Sequence, residues 1–426
     1  MKKLVALCLL CLHATAAFGQ GDNDGMKTLE SASRDKVKQS TSFELVDVEK
    51  LDADRYADSV KRIDLNARPK VLKCDLLIVG GGMGAVAAAM SACSAGLKVY
   101  ICEATSWLGG QLSSQGVSAL DENYLVESSG ATKTYKAFRN SIRDYYKSLG
   151  AEDGGARFEP HLDPGNCWVS RLAFEPKVAV KLLSDLLQPY ITSGHLRVFL
   201  RNVPFSVRKS TDKIRAVQFA DLDSGKLLEL RCKFCIDASE LGDILPLAGM
   251  RYRSGAESKA ETGELHAPEN ANPDNVQDFT YPFVVEFCPG ESHVIEKPKF
   301  YDDFNKLGKF SLLGYRMFEN SKTINEHGRE SEYLPFWEYR RLIDKNNFAA
   351  SVFPRDLAMI NWESNDLRGE NIIDQAPLTM AQRLSRGKYL SLGFLYWMQT
   401  EMPRDEGGAG YAELKLRPDL LGTTDG

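Results

Sequence analysis

The sequence has no surplus of positive charge. Across 426 residues, 53 Lys and Arg stand against 58 Asp and Glu, a formal net charge of −5. Nucleic-acid binders hold phosphates with clustered cations, so nucleic acid is not an expected partner. Beyond the first residues there is no apolar run of the ~20 residues needed to cross a bilayer. Internal repeats and low-complexity tracts are also missing, which excludes solenoids and tract-driven assemblies. Histidine is scarce at six residues, which leaves few candidates for a base near neutral pH. Cysteine is present at nine positions. It never takes the C-x-x-C-x-x-C spacing of an iron–sulfur site, nor the two ligand pairs of a structural metal site, so no metal is expected.

The N-terminus reads as a targeting segment. Lys2 and Lys3 form a positive start, Leu4 to Leu12 an apolar run, and Ala14, Ala16, Ala17 and Gly19 a small-residue cleavage region. No Arg-Arg pair is present, so residues 1–19 read as a general secretory signal removed after Gly19. An uncleaved anchor is the alternative. The expected location is periplasmic or secreted, with no membrane span after signal removal. Removal takes Cys8 and Cys11 from the nine cysteines and leaves seven: Cys74, Cys93, Cys102, Cys167, Cys232, Cys235 and Cys288. They are scattered and odd in number, so at least one thiol has no partner in the chain and the fold is not a disulfide scaffold. Cys232-Lys233-Phe234-Cys235 sits in an apparent strand, where positions three apart face opposite sides, and is read as buried structure.

What is present is apolar material for sizeable cores, 43% of residues, in a chain long enough for two or three domains. Residues 20–70 are polar and weakly periodic and read as a mobile or loosely attached leader. Asp75-Leu76-Leu77-Ile78-Val79 then suits a buried parallel strand. It runs into Gly80, Gly81, Gly82, Met83, Gly84 and Ala85, and into a helix of small residues. As G-x-G-x-x-A, Gly80 permits a tight turn, Gly82 lets a pyrophosphate approach, and Ala85 allows close helix–strand packing. The helix start offers free N–H groups to phosphates. A second strand, Lys98 to Cys102, ends at Glu103, ~20 residues past the glycines, where a ribose-binding acid belongs. A ligand-free glycine-rich turn is the alternative.

Helical spacing of Tyr135, Phe138, Ile142 and Tyr145 predicts a helix over 134–149 with that stripe in the core. Pro176 suits the first turn of another helix, with Val178, Leu182, Leu183, Leu186 and Leu187 on its apolar face. The period then shortens over 195–237. Turn signals at Thr211-Asp212-Lys213 and Asp223-Ser224-Gly225-Lys226 predict one strand joining the main sheet, an antiparallel meander, and a strand returning at Ile236-Asp237. From about Arg251 to Glu401 the pattern is irregular and aromatic-rich, as for a separate substrate-facing domain.

The glycine loop, Glu103 and the meander returning at Cys235-Ile236-Asp237-Ala238-Ser239 resemble FAD-dependent oxidoreductases of the glutathione-reductase-like superfamily. The match is most similar to a family of secreted or periplasmic bacterial FAD-dependent oxidoreductases. Carrying strings are Trp107-Leu108-Gly109-Gly110-Gln111, Ser113-Ser114-Gln115-Gly116, Asn166-Cys167-Trp168-Val169-Ser170-Arg171, Phe174-Glu175-Pro176, Ile236 through Asp243, and Phe394-Leu395-Tyr396-Trp397-Met398-Gln399. The resemblance implies an α/β fold. A Rossmann-like FAD-binding parallel sheet with an inserted β-meander would span 71–250, and a second α+β substrate domain 251–401. It implies that Gly80, Gly81, Gly82, Gly84 and Ala85 hold the FAD pyrophosphate and that Glu103 accepts from the adenosine ribose. Gly109, Gly110 and Gln111 would line the flavin side, and Val203 would meet the adenine through its backbone. Asp237, Ala238 and Ser239 would form the turn beside Gly242 and Asp243. Glu240 departs from the family's usual glycine, and a backbone needing positive φ would be strained there. Residues 402–426 read as the start of an incomplete C-terminal segment, because the family continues past Leu421-Gly422 to a late flavin contact. Truncation is therefore expected, with the flavin side open. Iron–sulfur clusters of distant heterodisulfide-reductase-like relatives find no matching cysteines.

The expected function is hydride transfer from a small organic, carbohydrate-related donor to flavin, with the electron acceptor unknown and oxygen and quinone both open. An exported enzyme lacks a nicotinamide pool, which favours a tightly held flavin over NAD. No catalytic residue is assigned; His161 is the least unsuitable histidine, set against an ordinary loop role. The alternative function is a noncatalytic, truncated remnant that binds a carbohydrate or partner through Tyr315, Phe318, Phe336, Trp337, Tyr339, Trp362, Tyr396 and Trp397.

Overall fold

The computed structural model describes residues 41–149, 160–306, 308–324, 330–423 and 425–426. The expected signal segment and the first part of the leader lie outside the described residues. A hairpin comes first: β1 (Ser42–Val46) pairs antiparallel with β2 (Val60–Asp64). After β3 (Lys70–Lys73) come β4 (Leu76–Val79), α1 (Met83–Ser94) and β5 (Val99–Cys102). Every residue of β4 and β5 is buried, as continuous apolar runs require of a sheet covered on both faces. α1 lays Ala85, Val86, Ala89 and Cys93 on the sheet; their short side chains let helix and sheet approach closely. Next are α2 (Lys133–Leu149) and α3 (Pro176–Thr192), the latter opening on proline as expected. Phe138, Ile142, Leu183 and Leu187 carry both helices into the first core.

β6 (Leu196–Phe199) extends the sheet beyond β5. The meander follows as β7 (Asn202–Ser210), β8 (Lys213–Asp221) and β9 (Leu227–Arg231), antiparallel in succession, with β3 parallel to β9 on the outside. β10 (Phe234–Asp237) then returns beside β4, giving a four-stranded parallel sheet in the order β10-β4-β5-β6. The return corrects the reading of Cys232 and Cys235. The chain leaves one sheet at Arg231 and enters the other at Phe234, so strand alternation is broken between them. Both cysteines therefore pack in one core beside Cys74. The seven cysteines among the described residues are all free thiols.

After β10 come the one-turn helices α4 (Ile244–Leu247) and α5 (Lys259–Thr262). Then follow β11 (Phe279–Thr280), β12 (Phe283–Phe287), α6 (Tyr301–Lys306), and a hairpin of β13 (Ser321–Ile324) and β14 (Glu330–Tyr333). β15 (Arg341–Ile343), β16 (Leu357–Ile360), β17 (Asp366–Leu367), α7 (Pro377–Thr400) and β18 (Leu414–Leu416) follow. A second, antiparallel sheet runs β15-β16-β12-β18. Its strands alternate between two cores: Val284, Leu357 and Met359 face the first core, while Phe283, Val285, Ala358 and Ile360 face one shared with α7. No helix among the described residues is long and apolar enough to cross a membrane.

The loosely attached leader is corrected for residues 41–70. Leu45 and Ile63 pack against Ala220, Leu222 and Leu227 of the meander, and Val46 and Leu51 against Ala381 and Leu384 of α7. Asp47, fully buried, is held by Arg201 through Nη1–Oδ1 at 2.8 Å and Nη2–Oδ2 at 2.5 Å. A charged stretch that reads as solvated is here anchored by a buried ion pair whose partner lies in another part of the sequence.

Candidate functional site

Strand order reverses at β4, with β5 on one side and β10 on the other. In parallel α/β sheets such a point leaves a crevice beyond the carboxyl ends of the strands. The glycine loop lies there. Gly80 has φ +99° and its N–H donates to the Cys102 carbonyl at 2.8 Å. A Cβ on Gly80 would lie 2.0 Å from the Ala238 carbonyl oxygen, so the turn and the approach of β10 both require glycine. At Gly82 a Cβ would meet only Glu240 Oε1, at 3.7 Å, and at Gly84 nothing within 4 Å. The first turn of α1 has no side-chain cap. Open space thus lies over uncapped helical N–H groups, which is what a pyrophosphate needs.

Gly109 seals the other side of the loop, its N–H donating to the Gly81 carbonyl at 2.8 Å. Its φ is +120°, and a Cβ would lie 2.6 Å from Ser113 Oγ. Gly110 follows at φ +58°. Half-buried Glu103, at the end of β5, accepts from the Thr105 N–H at 2.8 Å. Burial, and then nearby Glu240, push its carboxyl up against its hydrogen bonds to Thr105 and Gly81.

The Asp237 turn is built by its own side chain. Asp237 Oδ1 accepts from Ser239 N–H at 3.1 Å and Oγ at 2.6 Å, and Oδ2 from Ile244 N–H at 2.9 Å. Ser239 Oγ accepts in turn from Asp243 N–H at 2.8 Å. Positive φ falls on Gly242, at +70°, and not on Glu240, so the departure from glycine causes no strain. It has an electrostatic effect instead: Glu240 Oε1 lies between Gly82 and Gly110. Burial, and then Asp237, push the Asp243 carboxyl up to about 6, with Glu103 and Glu240 adding to the rise.

Beside this loop, from Glu103, Gly110 and Glu240, a cavity of about 560 Å³ runs toward the second sheet, within the range of ligand pockets. Glu103, Gly110 and Gln111 line it, with Glu49, Ser106, Trp107 and Glu240 at the nucleotide end. Glu49 accepts from Ser106 N–H and Oγ, both at 2.6 Å. Gln277, Tyr281, Asn361 and Lys388 form the opposite wall. Lys388 Nζ donates to the Leu51 carbonyl at 2.7 Å and pairs with Asp425 at 2.6 Å. Burial pushes the Tyr281 phenol up, so it stays protonated at neutral pH.

Of the expected site residues only Glu103, Gly110 and Gln111 line this cavity; Gly80 to Gly82, Gly84, Ala85, Gly109, Asp237 to Ser239, Gly242, Asp243 and Val203 do not. Val203 pairs with Ala220 in the meander and packs beside Phe43 and Phe205. His161 is also elsewhere: it lies 3.9 Å from Glu127 with its side chain 70% exposed. The aromatic residues behind the binding-module alternative pack into the second core, as with Tyr315 stacked on Tyr333 at 4.3 Å. Glu49, Ser106, Tyr281, Asn361 and Lys388 were not singled out from sequence. One signal was available. Leu384, Lys388, Ser391, Leu392 and Leu395 share one face of α7 and all line the cavity. A lone lysine in such a stripe marks a polar need inside an apolar contact.

A Rossmann-like parallel sheet with an open glycine loop at its switch point and an acid at the end of the next strand is the arrangement of a dinucleotide-binding fold. The model of the FAD dependent oxidoreductase family matches residues 75–424, and the chain belongs to that family, whose cofactor is FAD. No curated protein sequence matches it. Among solved structures, a geranylgeranyl bacteriochlorophyll reductase-like protein from Thermoplasma acidophilum is 18% identical over 43% of this chain and 43% of its own, with TM-score 0.27. A flavoprotein/dehydrogenase from Cytophaga hutchinsonii is 16% identical over 55% of this chain and 49% of its own, with TM-score 0.27. The myxobacterial FAD-dependent halogenase CndH is 16% identical over 41% and 38%, with TM-score 0.26. The chain spans less than half the length of each.

Proposed function

We propose that this chain is an exported FAD-dependent oxidoreductase that takes hydride from a small, hydroxyl-rich organic donor of carbohydrate-related class. One observation carries the reading: a single cavity is lined both by Glu103, Gly110 and Gln111, beside the glycine loop, and by Gln277, Tyr281, Asn361 and Lys388. When bound, FAD supplies the hydride acceptor. The chain's own residues bind and orient. N–H groups of Gly82 to Ala85 would hold the pyrophosphate, and Glu103 would accept from the ribose hydroxyls. The protonated Tyr281 and the amides of Gln277 and Asn361 offer hydrogen bonds to a polyhydroxylated donor. Phe279, Phe283 and Leu392 exclude water beside them. Export rests on the Lys2–Gly19 segment. The terminal electron acceptor is proposed to be oxygen or a quinone, since an exported flavoprotein has no nicotinamide pool.

The test is purification of the mature chain, with flavin absorbance read before and after reconstitution with FAD. The holoprotein is then mixed without oxygen with sugars, polyols and amines. Bleaching by a sugar or polyol supports the reading. A colourless protein that cannot be reconstituted overturns it, and bleaching by amines alone overturns the donor class.

A further inference from the structure

A second cluster of donors lies away from the cavity. Cys288 follows β12, roughly 16 Å along the strand from the cavity-lining Phe283. Pro289 and Gly290 then turn the chain so that Glu291 and His293 come back to it. Cys288 Sγ, a Glu291 carboxylate oxygen and a His293 ring nitrogen all lie within 4.8 Å of one another. Ligands on a tetrahedral zinc, with bonds of about 2.0–2.3 Å, stand about 3.5 Å apart. Small side-chain shifts therefore close the set.

The loop is held in place by contacts independent of these three side chains. Cys288 N–H donates to the Glu413 carbonyl at 2.9 Å, and His293 N–H to the Ala412 carbonyl at 2.8 Å. Buried Gln399 clamps the far end, its Nε2 donating to the His293 carbonyl at 2.7 Å and its Oε1 accepting from Ile295 N–H at 3.0 Å. His293 Nε2 already lies 2.8 Å from Glu291. A positive group sits at the same point: Arg355 Nη1 donates to Cys288 Sγ at 2.9 Å and its other nitrogen pairs with Glu291. Arg355 thus already places one positive charge against the Glu291 carboxylate and the Cys288 sulfur. Sulfur, nitrogen and oxygen donors together suit zinc, whereas calcium and magnesium take oxygen ligands.

We propose that Cys288, Glu291 and His293 form a zinc site with water as fourth ligand, and that Arg355 is the cation zinc displaces. On binding, the Cys288 S–H bond breaks, a Zn–S bond forms and the proton passes to solvent, with no change of oxidation state. The site clips the end of β12 to the loop before α6. It does not depend on the cofactor reading.

The experiment titrates the metal-free full chain with Co²⁺, then with Zn²⁺ in competition. The expected result is one equivalent of Co²⁺ with a thiolate-to-cobalt charge-transfer band, bleached by Zn²⁺. Cys288 is fully buried, so Cys288→Ser is judged alongside two more exposed positions. His293→Ala and Glu291→Gln each weaken binding by about tenfold or more, with circular dichroism unchanged. Arg355→Gln tightens it, because a competing cation is removed. The absence of a thiolate band, binding indifferent to His293→Ala and Glu291→Gln, or weaker binding in Arg355→Gln would each overturn the site.

Discussion

Gly80 and Gly84 stand in one loop and answer different physical demands. Gly80 needs both its positive φ and its missing Cβ. Gly80→Ala is expected to cost about 3 kcal/mol or more in urea unfolding, from backbone strain plus collision with Ala238. Gly84 sits in the first turn of α1 with open space around it. Gly84→Ala should leave the apoprotein unchanged or about 0.5–1 kcal/mol more stable, because it restricts only the unfolded chain. The cradle was legible because glycine spacing encodes backbone demands directly. The Glu240 carboxylate was not, since its direction depends on a turn organised by Asp237 and Ser239. Lying between Gly82 and Gly110, it repels a pyrophosphate, so Glu240→Gln should tighten FAD binding about tenfold, or about 1.4 kcal/mol, in a flavin titration. Looser binding would assign Glu240 a supporting hydrogen bond instead. Asp243 carries a pH signature. Its folded carboxyl is raised from 3.8 to about 6, so between these values the folded state holds more protons than the unfolded state. Stability therefore falls as pH rises from about 4 to about 6, by at most about 3 kcal/mol from this group. Asp243→Asn should flatten that slope. Glu127 works in the opposite sense. Burial alone would raise it, but Arg143 and Arg139 outweigh burial and hold it down at about 2, so its contribution is lost as pH falls from about 4.5 to 2.

The hairpin of β1 and β2 behaves as a strap across the cavity's nucleotide end. It touches the meander through Leu45 and Ile63, α7 through Val46 and Leu51, and the loop after β5 through Glu49. Its anchor is the Asp47–Arg201 pair, in which Asp47 has no exposure to solvent. Arg201→Met should cost about 3–5 kcal/mol, because it leaves a buried carboxylate without its cation. Adding Asp47→Asn should recover a large part of that cost, and equal losses in the single and double variants would show that packing, not charge, holds the strap. Elements differed in legibility for the same reason. β4, β5 and β10 are set by local apolar runs and turn residues, so they read directly from the chain. The strap's two short strands gain burial only from residues far away in sequence, and its key contact joins two charged residues that local pattern assigns to solvent.

At the scale of the molecule, the irregular sequence from about Arg251 to Glu401 reads as a separate substrate-facing domain, and the second sheet within it contributes to both cores. Adjacent residues on β12 and β16 point to opposite sides: Val284 and Met359 join the core under α1, α2 and α3, while Val285 and Ala358 join the core under α7. Neither half can shed the sheet without exposing its own apolar face. Two-state unfolding is therefore expected for the apoprotein despite its length, with calorimetric and van't Hoff enthalpies equal. Val284→Asp, which places a charge in the shared layer, should abolish the whole transition and not one part of it. The cavity lies between the same two cores, so FAD bound at 100 times its Kd should add about 2.7 kcal/mol to this single transition and raise its midpoint. Two resolved transitions, only one of them moved by FAD, would mean that the sheet belongs to one half and that the cavity wall can separate from the cradle.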